Sequence, residues 1–470
     1  MKRRDFLIGL GAAAGAPLFV SPERPASAAR QARDLTAKPG MASLLGDGLP
    51  QTPIWGYDGI SPGPVLRFRQ GQEVVLNFRN ALDQPTSVHW HGLRVPNAMD
   101  GVAGVTQDPV PPQGNFEYRF RVEDAGTYWY HSHNRSWEQV ARGLAGMLVV
   151  EEASPPAVDH DVAMVLDDWR LEQSGKIHEA SFGSIGEWAH GGRLGNIFTV
   201  NGGPAAEIPV RAGDRVRLRL LNSANARILS VRFPGHAPVL VALDGQPVDP
   251  RPLGEDAVTL APGQRVDLMI DMTLAPGASA AIEEVSTREP YGFATFRYSG
   301  DAPRRAAPLA PPDRLPDNPL PGEPVLDGAL RVPLLMQGGA MGRMPGARIG
   351  DGPMMGMREL AAAGKVWAFN GVAGMPKAPL VSVKSGRTVV VDIERDNAWP
   401  HAMHLHGHHF RVVERNGKSV ARSDWRDTEL VQRGERVSIA FVAGGPGKWL
   451  LHCHMLEHHA GGMATWVQVV

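Results

Sequence analysis

Cysteine is almost absent from this chain: Cys453 is the only one in 470 residues. No internal disulfide can form, so stability has to come from burial. Net charge is nearly absent too, at −1, which gives no basis for a nucleic-acid partner or a polybasic membrane surface. No apolar run reaches the roughly 20 residues that cross a bilayer, so no membrane span is expected. Helical periodicity is scarce. What the chain has in quantity is Gly (54) and Pro (40), which punctuate it into many short strands. At this length two to four domains are expected.

The chain begins Lys2-Arg3-Arg4-Asp5-Phe6-Leu7, continues as a Gly/Ala-rich apolar run to Val20, and then reads Ala26-Ser27-Ala28. An arginine pair, a short apolar stretch and a small-residue cleavage site make residues 1–28 a twin-arginine export signal. A membrane anchor is the competing reading, and the apolar run is too short for it. The twin-arginine route carries folded cargo, and the expected compartment is the periplasm.

One unit is used three times. Pro64–Leu76 alternates like a strand pair around the turn at Gly71; Pro209–Leu218 repeats this around Gly213, and Leu380–Val390 around Gly386. Each copy ends in a similar corner: Asn80-Ala81, Asn222-Ser223 and Asn397-Ala398. Alternation at this spacing argues for three β-sandwich domains. Their approximate boundaries are 35–152, 153–300 and 325–470, with a Pro-rich linker at 301–324. Helix is expected only in short pieces such as Trp137 to Leu144.

Comparing the copies locates the chemistry. His89-Trp90-His91-Gly92 in the first copy corresponds to His404-Leu405-His406-Gly407 in the third, and the second has no histidine pair there. Farther on, Gly126 through His131-Ser132-His133 matches Gly447 through His452-Cys453-His454, with Ser132 standing where Cys453 stands. Residues i and i+2 of a strand share a face, so His452 and His454 point one way and Cys453 the other. One backbone can then serve two metal sites. A thiolate with histidine partners and a weakly held methionine is the ligand set of a blue-copper electron-transfer centre; His458 and Met463 lie close enough in sequence to complete it. The two pairs in each outer copy supply eight imidazoles, related by a pseudo-twofold, which suit copper and can hold more than one ion. The middle copy is then a spacer that folds the ends together.

Those four stretches closely resemble the copper signatures of three-domain multicopper oxidases, a family that includes bacterial laccases and periplasmic cuprous oxidases. The resemblance covers essentially all of the chain after residue 28. It implies an all-β fold of three cupredoxin-like Greek-key β-sandwich domains, four copper ions and a monomer. By resemblance His401, Cys453 and His458 hold a type 1 copper, with Met463 axial. His89 and His404 hold a type 2 copper. One type 3 copper takes His91, His131 and His454, and the other His133, His406 and His452. Asp100 sits where the family has an acidic residue that delivers protons. Cys453, His452 and His454 carry electrons between the two sites, and dioxygen is reduced to water.

The sequence departs from the pattern in places. Many bacterial members have an acidic residue after the His458 position, where this chain has His459. Met336, Met341, Met344, Met354, Met355 and Met357 crowd a Gly/Pro-rich segment over 336–357. Thioethers select Cu(I), and the segment resembles a short version of the Met-rich insert of cuprous oxidases. Asn397 and Trp399 stand where copper-tolerance enzymes place an Asp and a Met, and Trp399 offers a stacking surface for phenols. The expected reductants are therefore Cu(I) or small phenols, with a laccase-like phenol oxidase as the alternative. A non-catalytic scaffold is disfavoured by the complete ligand set, and a copper store, which fits the methionines, leaves the ordered pseudo-twofold cluster without purpose. His408 and His409 are read as structural or outer groups, and His160, His178, His190 and His236 as surface groups.

Overall fold

The computed structural model describes residues 32–470 except 255, 306 and 422, so the export signal lies outside the described residues. It is nearly all β, and its six sheets pair off in order along the chain. A four-stranded sheet (Thr52–Tyr57, Arg33–Ala42, Glu73–Asn80, Asn115–Arg121) packs on a second of four (Gly63–Arg69, Ala145–Glu151, Gly126–His131, His89–His91). Strand alternation builds the core between them. In Glu73–Asn80 it buries Val74, Leu76 and Phe78 against Trp90, Tyr118 and Leu148. The middle third pairs a six-stranded sheet with a five-stranded one around Leu218, Leu220, Leu268 and Phe296. The last third pairs nine strands with five around Val391, Ile439, Trp449 and Leu451, and that core also contains Cys453 and Met463.

The repeat seen in the sequence returns as topology. Arg33–Ala37 runs parallel to Leu76–Asn80, His160–Leu166 parallel to Val216–Asn222, and Leu330–Gln337 parallel to Val389–Asp396. The corner asparagines explain why each copy ends alike. Asn80 Nδ2 donates to the Gln84 and Val110 carbonyls, and Asn222 Nδ2 to those of Arg227 and Leu260. Asn397 is diverted in part: its Oδ1 accepts from His401 Nε2 at 3.0 Å.

Helix is confined to short pieces. The one expected over Trp137 to Leu144 is the single turn Ser136–Gln139, followed by a bend at Gly143 (φ 115°). No helix among the described residues is long and apolar enough to cross a membrane. The methionine-rich segment is not one loop. Met336 lies on the strand Leu330–Gly338 and is fully buried in the third core, so its sulfur cannot meet an incoming ion. Met344 and Met355 pack in a small satellite core, and Met341, Met354 and Met357 are exposed. Six candidate thioethers become three.

Candidate metal centre

The strand register assembles the histidines. His89 pairs opposite His131 and His91 opposite Trp129 in the first third, while His404 pairs opposite His452 in the last. The two sets meet face to face. His89 stacks on His406 with ring centroids 3.9 Å apart, and His91 on His404 at 3.7 Å. These pairs interchange under the pseudo-twofold. His133 joins His406 and His452, and His454 lies 4.8 Å from His91 and 5.3 Å from His131, ring to ring. All eight histidines are buried.

Outer hydrogen bonds fix the tautomers and aim the lone pairs inward. His89 Nδ1–H donates to the Asp100 carbonyl (2.7 Å), His131 Nδ1–H to that of Ser132 (2.9 Å), and His404 Nδ1–H to that of Asp427 (2.9 Å). The Nε2 atoms of all three are left without a hydrogen-bond partner, as are His91 Nδ1, His133 Nε2 and both nitrogens of His454. His406 Nδ1–H donates to Asp100 Oδ2 and His452 Nδ1–H to the Cys453 carbonyl, both at 2.9 Å. Their Nε2 lone pairs consequently face each other at 3.1 Å with no proton between them. A buried polar atom with no partner is costly, and a cation removes that cost wherever the unpartnered nitrogen carries a lone pair, which for His454 is one of its two nitrogens.

A second site lies on the other side of the Cys453 strand. Cys453 Sγ is 3.7 Å from both His401 Nδ1 and His458 Nδ1, and the two nitrogens are 3.1 Å apart. His401 Nε2–H donates to Asn397 and His458 Nε2–H to the His190 carbonyl (2.7 Å), so both Nδ1 atoms present lone pairs to the sulfur. Met463 is fully buried and tied by its backbone to Cys453 and His458. Burial pushes the Cys453 thiol up to about 12, so the thiolate forms only against a cation. Burial pushes His458 down to about 4, and burial with the His458 charge pushes His401 down as well. Two neutral imidazoles, a thiol that ionises on binding and a nearby thioether fit copper.

Asp100 and Asp427 stand behind the eight-histidine pocket as mates. The Asp100 carbonyl holds His89 and its carboxylate holds His406; the Asp427 carbonyl holds His404 and its Oδ1 accepts from His91 Nε2 at 3.1 Å. Asp427 was not among the residues singled out from sequence. The one signal for it is the repeat, since Asp100 in the first copy calls for a counterpart in the third, but the unequal spacing hides which residue that is. The two differ in charge balance. Arg265 Nη1 and Nη2 reach Asp427 at 2.9 and 2.6 Å, whereas Asp100 Oδ1 has no hydrogen-bond partner. Burial raises the Asp427 carboxyl, but Arg265 and the His91 and His404 imidazoles hold it well below the usual carboxylate range. Asp244, also against Arg265, is pushed up to about 7 by burial and the Asp427 charge.

The middle third is therefore more than a spacer. None of its described residues joins the candidate ligand groups, yet it provides Arg265, the His190 carbonyl and Gly263, where an added Cβ would lie 3.1 Å from both His454 and His91. At φ +85° that close approach is open to glycine. Replacing Arg265 by Met strands two buried carboxyl groups. The expected result is a loss of about 3–5 kcal/mol in stability with copper lost from the histidine pocket, read from unfolding midpoints and metal content. Arg265→Lys, which keeps the charge but not the fork, should fall between.

Of the other histidines, His408 donates to the His406 carbonyl (2.9 Å) and His409 lies 3.8 Å from Asp427 Oδ2, both outside the metal pocket. His459 lies against His452, ring centroids 4.4 Å apart and tilted by 37°, so an imidazole occupies the place where an acidic group was sought. His160 pairs with Asp214 and His236 with Tyr298, remote from either site.

A thiolate site and an eight-histidine pocket, wired through adjacent residues in a cupredoxin-type all-β fold, define a copper-dependent oxidoreductase. Family profiles described as multicopper oxidase match residues 40–155, 160–301 and 353–470, and the chain belongs to that family. It is 39% identical to Lac15 from a marine microbial metagenome (TM-score 0.74, covering 93% of this chain and 100% of that one). It is 32% identical to the multi-copper oxidase of Pseudomonas thermotolerans (TM-score 0.81; 94% and 100%). It is 26% identical to a copper resistance protein A homolog of Pseudomonas syringae pv. tomato (99% and 99%).

Proposed function

We propose that the chain takes electrons one at a time from Cu(I) or small phenols at the Cys453 site and passes them to the histidine pocket, where dioxygen is reduced to water. In this reading His401, Cys453, His458 and Met463 hold one copper ion. His89, His91, His131, His133, His404, His406, His452 and His454 hold three. Bound copper supplies one-electron redox capacity and Lewis acidity toward oxygen. The carrying observation is that Cys453 faces one set of lone pairs while its neighbours His452 and His454 face the other. The path between sites is a few covalent bonds, shortened by the hydrogen bond from His452 Nδ1 to the Cys453 carbonyl. Asp100 Oδ1, buried and unpartnered 3.3 Å from His89 Nδ1, is the free acceptor atom through which a proton passes to the pocket. Arg265 keeps Asp427 ionised, which leaves Asp427 to position His91.

The edge of His458 is covered by His190, whose ring meets Trp399 at 5.3 Å. Trp399 Nε1 donates to the Ala340 carbonyl (2.9 Å), and the next residue, Met341, is 79% exposed. An exposed thioether this near the covered edge favours Cu(I); the Trp399 indole favours phenols. Replacing Met341, Met354 and Met357 together by Leu is expected to lower kcat/KM for Cu(I) at least tenfold and leave a dimethoxyphenol within twofold. Equal loss on both substrates, or on neither, would remove the cuprous reading and leave a laccase-like phenol oxidase. The same reading places the protein in the periplasm as a monomer, exported through Arg3-Arg4 and cleaved after Ala28. Its domains are 35–152, 153–300 and 325–470, with a linker at 301–324. The sheet pairs, which span 33–151, 160–298 and 330–469, support that division.

A further inference from the structure

A cleft of about 450 Å³ opens beside the histidine pocket, with His133 and His459 among its walls. Trp137 and Trp188 form an aromatic side, 5.4 Å apart ring to ring, and Met375 and Leu450 add apolar surface. Two cations line it, Arg135 and Lys365, and no Asp or Glu does. Arg135 is already committed: it pairs with Glu138 at 2.7 Å and lies over Trp137. Lys365 is not. Its ammonium is half-buried and donates to the Ala460 carbonyl (2.8 Å), and it pairs with no carboxylate among the described residues. Burial alone pushes that ammonium down, and its charge bears on His459.

A concave site with apolar walls and one convergent charge is a small-molecule site. A half-buried cation without a counter-ion is stabilised by whatever anion can reach it. We propose that the cleft binds small aromatic carboxylates, the carboxylate on Lys365 and the ring against Trp137 and Trp188, and that the bound anion obstructs access to the histidine pocket through the His133 and His459 wall. This site is separate from the electron-entry surface at His190 and Trp399. Occupation should therefore act on oxygen and not on the electron donor.

The probe is benzoate, titrated calorimetrically into the copper-loaded protein, with benzyl alcohol as its neutral counterpart. Benzoate is expected to bind at least tenfold more tightly than benzyl alcohol, and Lys365→Met to weaken it at least tenfold with copper content and blue absorbance unchanged. Ala363→Phe, which fills the cleft from an exposed position, should abolish binding without touching the ammonium. In oxygen-uptake assays benzoate should raise KM for oxygen and leave KM for the donor unaltered. Equal affinity in Lys365→Met and the parent, or failure of Ala363→Phe to reduce binding, would overturn the site. Competition with the donor would overturn the obstruction. The inhibition arm rests on the function proposed above, whereas the calorimetric arm holds or fails independently of it.

Discussion

Cys453→Ser is expected to abolish the blue colour and to lower oxygen consumption by at least a thousandfold, with about one copper equivalent lost and the rest retained. The chain contains its own control. Ser132 occupies the position equivalent to Cys453, and its hydroxyl hydrogen-bonds Gln139 and Thr86 instead of facing imidazole lone pairs. A serine oxygen is a hard ligand whose proton is not lost at neutral pH, while a thiolate is soft and selects copper. Because burial pushes the Cys453 thiol up to about 12, the copper-free protein carries the thiol form at pH 7. Copper uptake should release close to one proton from it, measurable in weakly buffered solution, and Cys453→Ser should release none there. Retention of the blue band or of oxygen uptake in the variant would refute the wiring on which the function rests.

How far the sequence was legible follows the physics of each feature. Strand alternation and His-x-His spacing are local, so the three sandwiches, the two faces of the Cys453 strand and the pairing of the outer thirds could be read directly. Asp100 was legible by resemblance. Asp427 was not, because it lies 23 residues after His404 while Asp100 lies 11 after His89. Pseudo-symmetry operates in space, and loops of unequal length hide it. The middle third looked inert for a similar reason. Arg265 acts through a fork onto Asp427, and His190 through a backbone carbonyl, which carries no side-chain signature. The methionines erred the other way. Composition grouped six of them, but Met336 is buried on a paired strand and Met344 and Met355 pack in a satellite core, a sorting that unperiodic spacing does not reveal.

Acid should unfold the copper-free protein in a narrow range that copper moves downward. Burial, with help from neighbouring imidazoles, holds His91, His131, His133, His406, His452 and His454 well below the usual imidazole value. In the unfolded chain these groups bind protons once pH falls below about 6.5, and in the folded chain they do not. Protons therefore favour the unfolded state, and stability is lost as pH falls below that value, at about 1.4 kcal/mol per pH unit for each imidazole. Six such groups acting together exhaust a stability of about 5–15 kcal/mol within one to two units. Asp427, held low by Arg265, adds a further loss only at more acid pH. The expected thermal midpoint of the copper-free protein is nearly flat from pH 8 to 7 and falls steeply between pH 6.5 and 5. In the copper-loaded protein the inward lone pairs are taken, so protons must displace metal before they destabilise the fold, and the same fall should begin at least one pH unit lower. Parallel curves for the two forms would mean that the inward nitrogens are not the copper ligands.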